Sequence, residues 1–260
     1  MAILESRTKT GISWATESLA LFKQSPRKWM LLSLTYIAIY MFIPSIPGLQ
    51  ILAFVAILMW PVFIVIAMRY YRNAEYQKSE RLPDIIQLIQ PKMKKLLTLG
   101  LVNLIYFVVV SIVLSGDLQS LEQIMNKQTE LTDQERVAAL QTMMPVFLKL
   151  ALLFIPLMLA VWYAPMLIAF NDYPVMKSLK SSIAGSIQYL LSMTVTWVLL
   201  STGVILLMML ATVVAGLFSF MQPAIAQTLM TLFLFACMLV SIALMLAFQY
   251  VSYRDVFRAA

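Results

Sequence analysis

The sequence predicts an all-α polytopic membrane protein with six transmembrane helices, and three observations carry that expectation. Of its 260 residues 62% are hydrophobic and only 12% charged, against about 25% charged in soluble domains, so a hydrated surface cannot be covered. Six apolar stretches approach or exceed the roughly 20 helical residues needed to cross a hydrocarbon core of about 30 Å. Runs such as 199–210 are apolar on every face, whereas transmembrane strands alternate lipid-facing and lumen-facing residues. Because lipid offers the backbone no hydrogen bonds, only helices or closed barrels span it, and this pattern selects helices.

Taken in order, the spans are expected at 29–44, 49–68, 96–114, 146–170, 189–218 and 224–250, within one integral membrane domain covering 1–260. The first is short and the fifth long. Residues 1–28 lack a compact apolar stretch with a small-residue cleavage site, so no removable signal peptide is expected. Short stretches with interfacial helix character precede three spans, at 12–22, 82–89 and 175–183. The 115–145 loop carries Leu118, Leu121, Met125 and Leu131, then a capping box of Thr132 with Glu135. It is expected to form one or two amphipathic helices that act as a lid or meet envelope proteins. Lys149, just inside the fourth span, is expected to snorkel to water.

Sixteen of the nineteen Lys and Arg residues fall in four segments, 1–28, 69–95, 171–188 and the tail after 250. Positive residues mark the cytoplasmic side, so both termini are expected there, with the 115–145 loop on the periplasmic side. The net charge of +7 is then a consequence of topology, and no nucleic-acid partner is expected. With no His and a single Cys, Cys237, the chain lacks the ligands for zinc, haem or disulfide frameworks. No metal or cofactor is expected.

A repeat is visible ahead of three spans. Pro26-Arg27-Lys28-Trp29-Met30-Leu31-Leu32, Pro91-Lys92-Met93-Lys94-Lys95-Leu96-Leu97 and Gly185-Ser186-Ile187-Gln188-Tyr189-Leu190-Leu191 align without gaps. Pro disfavours a helical residue before it and cannot join the helix ladder, and Gly is a poor helix former, so each interfacial helix is expected to break at its Pro26, Pro91 or Gly185 and the chain to dive. The exits Tyr71-Arg72-Asn73, Phe170-Asn171-Asp172 and Tyr253-Arg254-Asp255 also correspond. Three like-oriented hairpins follow, each preceded by a cytoplasmic interfacial helix. Inverted repeats with broken helices, the stronger sign of a secondary transporter, are not expected.

The basic elbows at Arg27, Lys28 and Trp29 and at Lys92, Lys94 and Lys95 suit anionic lipid headgroups, each cation contributing about 1 kcal/mol at a charged leaflet. Arg72 and Arg254 are candidates for capping helix ends, for pairing with acids such as Glu75, or for a phosphate site. Asn103, Gln227 and Gln249 are the intramembrane polar candidates; they either join helices by hydrogen bonds or line a small polar path. No catalytic residue is assigned; an enzyme acting on lipid phosphates would need a base or nucleophile beside Arg72 or Arg254, for which Asp172 and Asp255 are the only candidates. Nineteen methionines and Cys237 fill irregular packing.

The segment Gly11-Ile12-Ser13-Trp14 through Phe22, the Pro-Arg-Lys-Trp elbow, Trp162-Tyr163-Ala164-Pro165 and the closing Tyr253-Arg254-Asp255-Val256-Phe257 resemble a family of uncharacterised proteobacterial six-helix inner-membrane proteins. The likeness covers nearly the whole chain. It extends distantly to the membrane domain of some glycerophosphodiester phosphodiesterases, and implies a multi-pass protein of the bacterial inner membrane without their catalytic domain. The function expected is non-enzymatic, contacting membrane lipids or envelope proteins; the alternative is a transporter or flippase for an amphipathic solute.

Overall fold

The computed structural model describes residues 2–117, 119, 133–219 and 223–257. Among them every regular element is helical: α1 (Ala2–Gln24), α2 (Pro26–Ser45), α3 (Leu52–Glu75), α4 (Leu82–Ile89), α5 (Met93–Val113), α6 (Asp133–Val161), α7 (Ala164–Asn171), α8 (Val175–Gln188), α9 (Leu190–Ser219) and α10 (Pro223–Phe257). Six apolar helical stretches are long enough to cross a membrane. Their outer surfaces are compatible with that. Only 6% of the apolar window of α9 and 11% of that running from α6 into α7 is buried within the protein. Leu152, Leu206, Met209 and Ile112 are more than half exposed. In water such faces would be unfavourable at about 25 cal/mol per Å²; in hydrocarbon they are at rest.

The breaks between helices follow local chemistry. Pro26 opens α2, where its missing N–H is no loss. Pro44 has no N–H for the Tyr40 carbonyl, and α2 widens there into a π-helical turn over Ala38–Phe42. The Asp84 carboxylate accepts the Arg81 backbone N–H at 3.1 Å and so caps α4. A 3₁₀ turn at Gln90–Lys92, built around Pro91, passes α4 into α5. Asp172 ends α7 in the left-handed region, with φ of 57°, a conformation that Asp tolerates better than most residues.

Burial is concentrated at one end of the bundle. One core joins α1, the start of α2, the ends of α3 and α10, and α7, around Trp14, Trp29, Tyr71, Tyr163, Phe248 and Tyr253. A smaller one sets α4 and α5 against α3 and α7, through Val65, Ile85, Leu96, Leu99 and Ile168. Helices α3 and α5 cross closely where Gly100 meets Leu58, since a Cβ at Gly100 would stand 2.0 Å from the Leu58 carbonyl oxygen.

Two sequence expectations are corrected and one span is refined. The stretch expected at 146–170 is one of the six, Met143–Asn171, and it consists of two helices: α6 begins at Asp133 and runs through Pro145 and Pro156 to Val161, and the chain then breaks at Trp162 and Tyr163 before α7. The third elbow lies at Tyr189, not at Gly185, which sits inside α8 because that helix packs there on the side chains of Phe257 and Val256. Helix α1 does more than lie at an interface. One face is docked on α9, where a Cβ at Gly11 would stand 2.7 Å from the Ser192 carbonyl oxygen, and Ser192 and Thr196 donate to the Arg7 and Gly11 carbonyls at 2.8 and 2.9 Å. The expected helix through Leu118, Leu121, Met125 and Leu131, and the cap at Thr132, lie outside the described residues.

Candidate functional site

Most of the described charged residues gather at the end of the bundle that holds the main core. Arg254 on α10 donates to Glu75 at the end of α3 and to Glu17 on α1. It also reaches Asp255 at 2.9 Å. The Trp14 indole N–H donates to the other oxygen of Asp255 at 2.8 Å, and the Tyr250 hydroxyl donates to Glu75. Arg254 is thus a helix-joining cation with three carboxylates around it. Arg72, expected beside Glu75, instead places its guanidinium over the Phe170 ring, 5.7 Å from its centre; Glu75 is held by Arg254.

Two further clamps complete this end. Arg69 makes a paired contact with Glu80 at 3.0 and 3.2 Å, and the Asn73 amide adds a third donor at 3.0 Å. Arg69 and Asn73 hold the Glu80 carboxyl below its usual range. Lys92 and Lys95 both pair with Asp172, the latter at 2.7 Å, and together they lower its carboxyl to about 2. The two acids weighed as bases, Asp172 and Asp255, are therefore both committed to donors. Among the described residues no group of three His, Cys, Asp or Glu residues is placed to hold a metal ion.

The headgroup candidates divide accordingly. Arg27, Lys28 and Lys94 are exposed. Lys92 and Lys95 are tied to Asp172. Trp29 is corrected: it is 3% exposed, stacks on Tyr71 with ring centres 4.1 Å apart and planes 10° from parallel, and donates its indole N–H to the Leu21 carbonyl at 2.9 Å. That carbonyl belongs to the last turn of α1, which has no partner within its own helix. Trp29 therefore faces the interior, where it fastens α1 to the elbow.

The break at Trp162 and Tyr163 frees backbone groups that lipid cannot satisfy. Ser182 donates to the Leu159 carbonyl at 2.8 Å and accepts the Tyr163 N–H at 3.0 Å. Ser186 also donates to Leu159, at 3.3 Å, and the Gln249 amide donates to the Trp162 carbonyl at 2.7 Å. This explains Gln249, which closes the break instead of lining a path. The serines at 178, 182 and 186 on α8 are all fully buried. Sequence reasoning passed over them, although their spacing of four puts them on one helix face.

The other two amides separate. Gln227 is exposed near the start of α10. Asn103 is 4% exposed, and its Oδ1 has no hydrogen-bond partner. It lines a cleft of about 450 Å³ between α2, α3, α5 and α6, walled by aromatic residues including Tyr36, Tyr40, Trp60 and Phe154. Phe107 and Phe154 meet with ring centres 5.5 Å apart, and the Tyr106 hydroxyl donates to the Leu153 carbonyl at 2.5 Å, joining α5 to α6. Lys149 pairs with Asp117 at 3.0 Å. Comparison with protein-family models, curated proteins and solved structures gives no match.

Proposed function

We propose that the chain is a non-enzymatic, multi-pass protein of the bacterial inner membrane that contacts anionic lipids of the cytoplasmic leaflet. On this reading its six spans form three like-oriented hairpins with both termini in the cytoplasm, and the 115–145 segment is the surface offered to envelope proteins. The observation that carries it is the pairing pattern of the cations. Lys92, Lys95, Arg69 and Arg254 are used up by acids of the same chain, while Arg27, Lys28 and Lys94 at the first two elbows are exposed beside apolar helix faces. Cations in that setting attract anionic headgroups at about 1 kcal/mol each. The resemblance to proteobacterial inner-membrane proteins supports the same location.

Native mass spectrometry of the full chain released from phosphatidylethanolamine and phosphatidylglycerol bilayers tests it. Phosphatidylglycerol should remain bound, and the triple variant Arg27→Gln, Lys28→Gln, Lys94→Gln should lose most of it. Equal retention by the variant would overturn the reading.

A second reading, movement of an amphipathic solute, draws support from the cleft at Asn103 and the broken helix. Against a continuous polar path, Gln227 lies outside the cleft and Gln249 is occupied by the Trp162 carbonyl. Proteoliposomes that flip a labelled lipid no faster than protein-free ones would remove it.

A further inference from the structure

The cleft between α2, α3, α5 and α6 lies at the same depth on three helices. Tyr36 stands nine residues from Arg27 on α2, Trp60 nine from Arg69 on α3 and Asn103 nine from Lys94 on α5, or about 14 Å along each helix from its charged end. In a hydrocarbon core of about 30 Å that is near the midplane. None of the lining residues is charged, so a ligand bearing a charge would be stripped of water there with no counter-charge to receive it. The volume of about 450 Å³ is within the range of small-molecule sites, roughly 300–1,000 Å³.

The Tyr36 and Tyr40 hydroxyls decide the chemistry. Their rings are neighbours on α2, 4.7 Å apart between centres, at the π-helical turn over Ala38–Phe42, a kind of turn frequent at functional sites. Asn103 Oδ1 is sealed inside the protein, but neither tyrosine hydroxyl is, and among the described residues neither donates to a protein acceptor. The Trp60 indole N–H faces the Tyr36 hydroxyl and so leaves that hydroxyl's proton to be given elsewhere. The cleft therefore offers two hydroxyl protons without an acceptor. A water could meet these groups, but at about 30 Å³ it leaves most of the space to an apolar occupant. One molecule does both if it is uncharged, apolar and carries a hydrogen-bond acceptor to the midplane. Glycerolipid ester carbonyls stay at the interface with their headgroups. We propose that the cleft binds an isoprenoid quinone in its oxidised form, with ring carbonyls accepting from the Tyr36 and Tyr40 hydroxyls and the ring packed against Trp60, Phe107 and Phe154. Its chain leaves past Ile155, which both lines the cleft and is exposed to lipid. The site is independent of the leaflet contacts above, because none of Arg27, Lys28 and Lys94 borders it.

The test uses the full chain in phosphatidylethanolamine and phosphatidylglycerol nanodiscs, which supply no quinone. Two photoprobes share a short isoprenoid tail bearing a diazirine and differ in the head, a substituted benzoquinone in one and the matching alkylbenzene in the other. The quinone probe should crosslink to cleft residues of α2, α3, α5 or α6. Excess unlabelled quinone should remove that label, and excess unlabelled alkylbenzene should not. The double variant Tyr36→Phe, Tyr40→Phe keeps both rings and removes both donors, so its labelling by the quinone probe should fall about tenfold, to the level of the alkylbenzene probe. Ala151→Phe, which fills the cleft from α6, should abolish labelling by both probes and serves as the deciding variant if the double variant does not fold. Equal labelling by the two probes would mean that a hydrocarbon chain with water fills the cleft. That result, labelling outside the cleft, or undiminished labelling of either variant would overturn the proposal.

Discussion

Arg254 donates to Glu17 across 237 positions of sequence, joining the last helix to the first. Because Glu75 and Asp255 share the same guanidinium, the two ends of the pair are not equivalent. Removing Glu17 leaves Arg254 with two acids, and at a partly exposed site this costs under about 1 kcal/mol. Removing Arg254 leaves three carboxylates crowded together and takes away several charge-assisted hydrogen bonds, a loss of about 2–3 kcal/mol. Arg254→Gln should therefore lower the melting temperature in mild detergent clearly more than Glu17→Gln. Equal shifts would show that the cation does not hold the cluster.

The broken helix gives a second asymmetry. Ser182 serves two freed backbone groups at once, the Leu159 carbonyl and the Tyr163 N–H, whereas Ser186 shares only the first. A buried backbone group left without a partner costs about 1–3 kcal/mol. Ser182→Ala should destabilise by that amount and Ser186→Ala by less, since Ser182 still meets Leu159. Gln249→Leu should resemble Ser182→Ala, because the Trp162 carbonyl loses its donor. Thermal melts of the three variants in one detergent check the order.

The six apolar helices were legible because a bilayer imposes one length and one polarity on whatever crosses it. The helix Leu82–Ile89 was legible at both ends for a different reason, as Pro83 and Pro91 punctuate it. Long-range partners were not legible. Asp172 with Lys95 and Glu17 with Arg254 are separated by 77 and 237 positions, and no local spacing encodes such pairs. Gly185 misled because its smallness serves a neighbour, Phe257, and not a bend. Trp29 misled because a Trp beside Arg and Lys suits an interface equally well. The amides divided by what surrounds them in space: Gln249 found a broken helix, Gln227 the exterior, and Asn103 an aromatic cleft.

Glycines of similar sequence setting should respond in opposite ways. Gly100 sits where α3 and α5 cross, and the nearest atom to an added Cβ is backbone oxygen at 2.0 Å, which cannot swing aside. Gly100→Ala must push the helices apart and should lower stability by at least about 3 kcal/mol, the upper range for overpacking. It also lies one turn before Asn103, so the cleft should change shape with it. Gly203, in the middle of α9, has nothing within 4 Å of its Cβ position. Gly203→Ala should be neutral or should stabilise by up to about 1 kcal/mol, the helix-propensity difference measured in water. Melting temperatures of the two variants, measured side by side, check the contrast.

Asp172 carries a pH dependence whose sign can be worked out. Lys92 and Lys95 hold its folded-state carboxyl at about 2, below its ordinary 3.8, so folding favours the ionised form. A depressed folded value contributes stability that is fully present above the ordinary value and is lost as pH falls towards the folded one. The window therefore runs from about pH 4 down to about pH 2. Asp172→Asn removes the charge but keeps a side chain that tolerates the left-handed backbone at this position, so it isolates the ion pairs from the turn. The parent should melt above this variant at pH 6, with the gap unchanged down to about pH 4.5 and closing as the pH is lowered through 3. The double variant Lys92→Gln, Lys95→Gln should show no such closing, since nothing then separates the folded and unfolded carboxyl. A gap between parent and Asp172→Asn that stays constant down to pH 3 would mean that the lysines do not stabilise the elbow through this carboxylate.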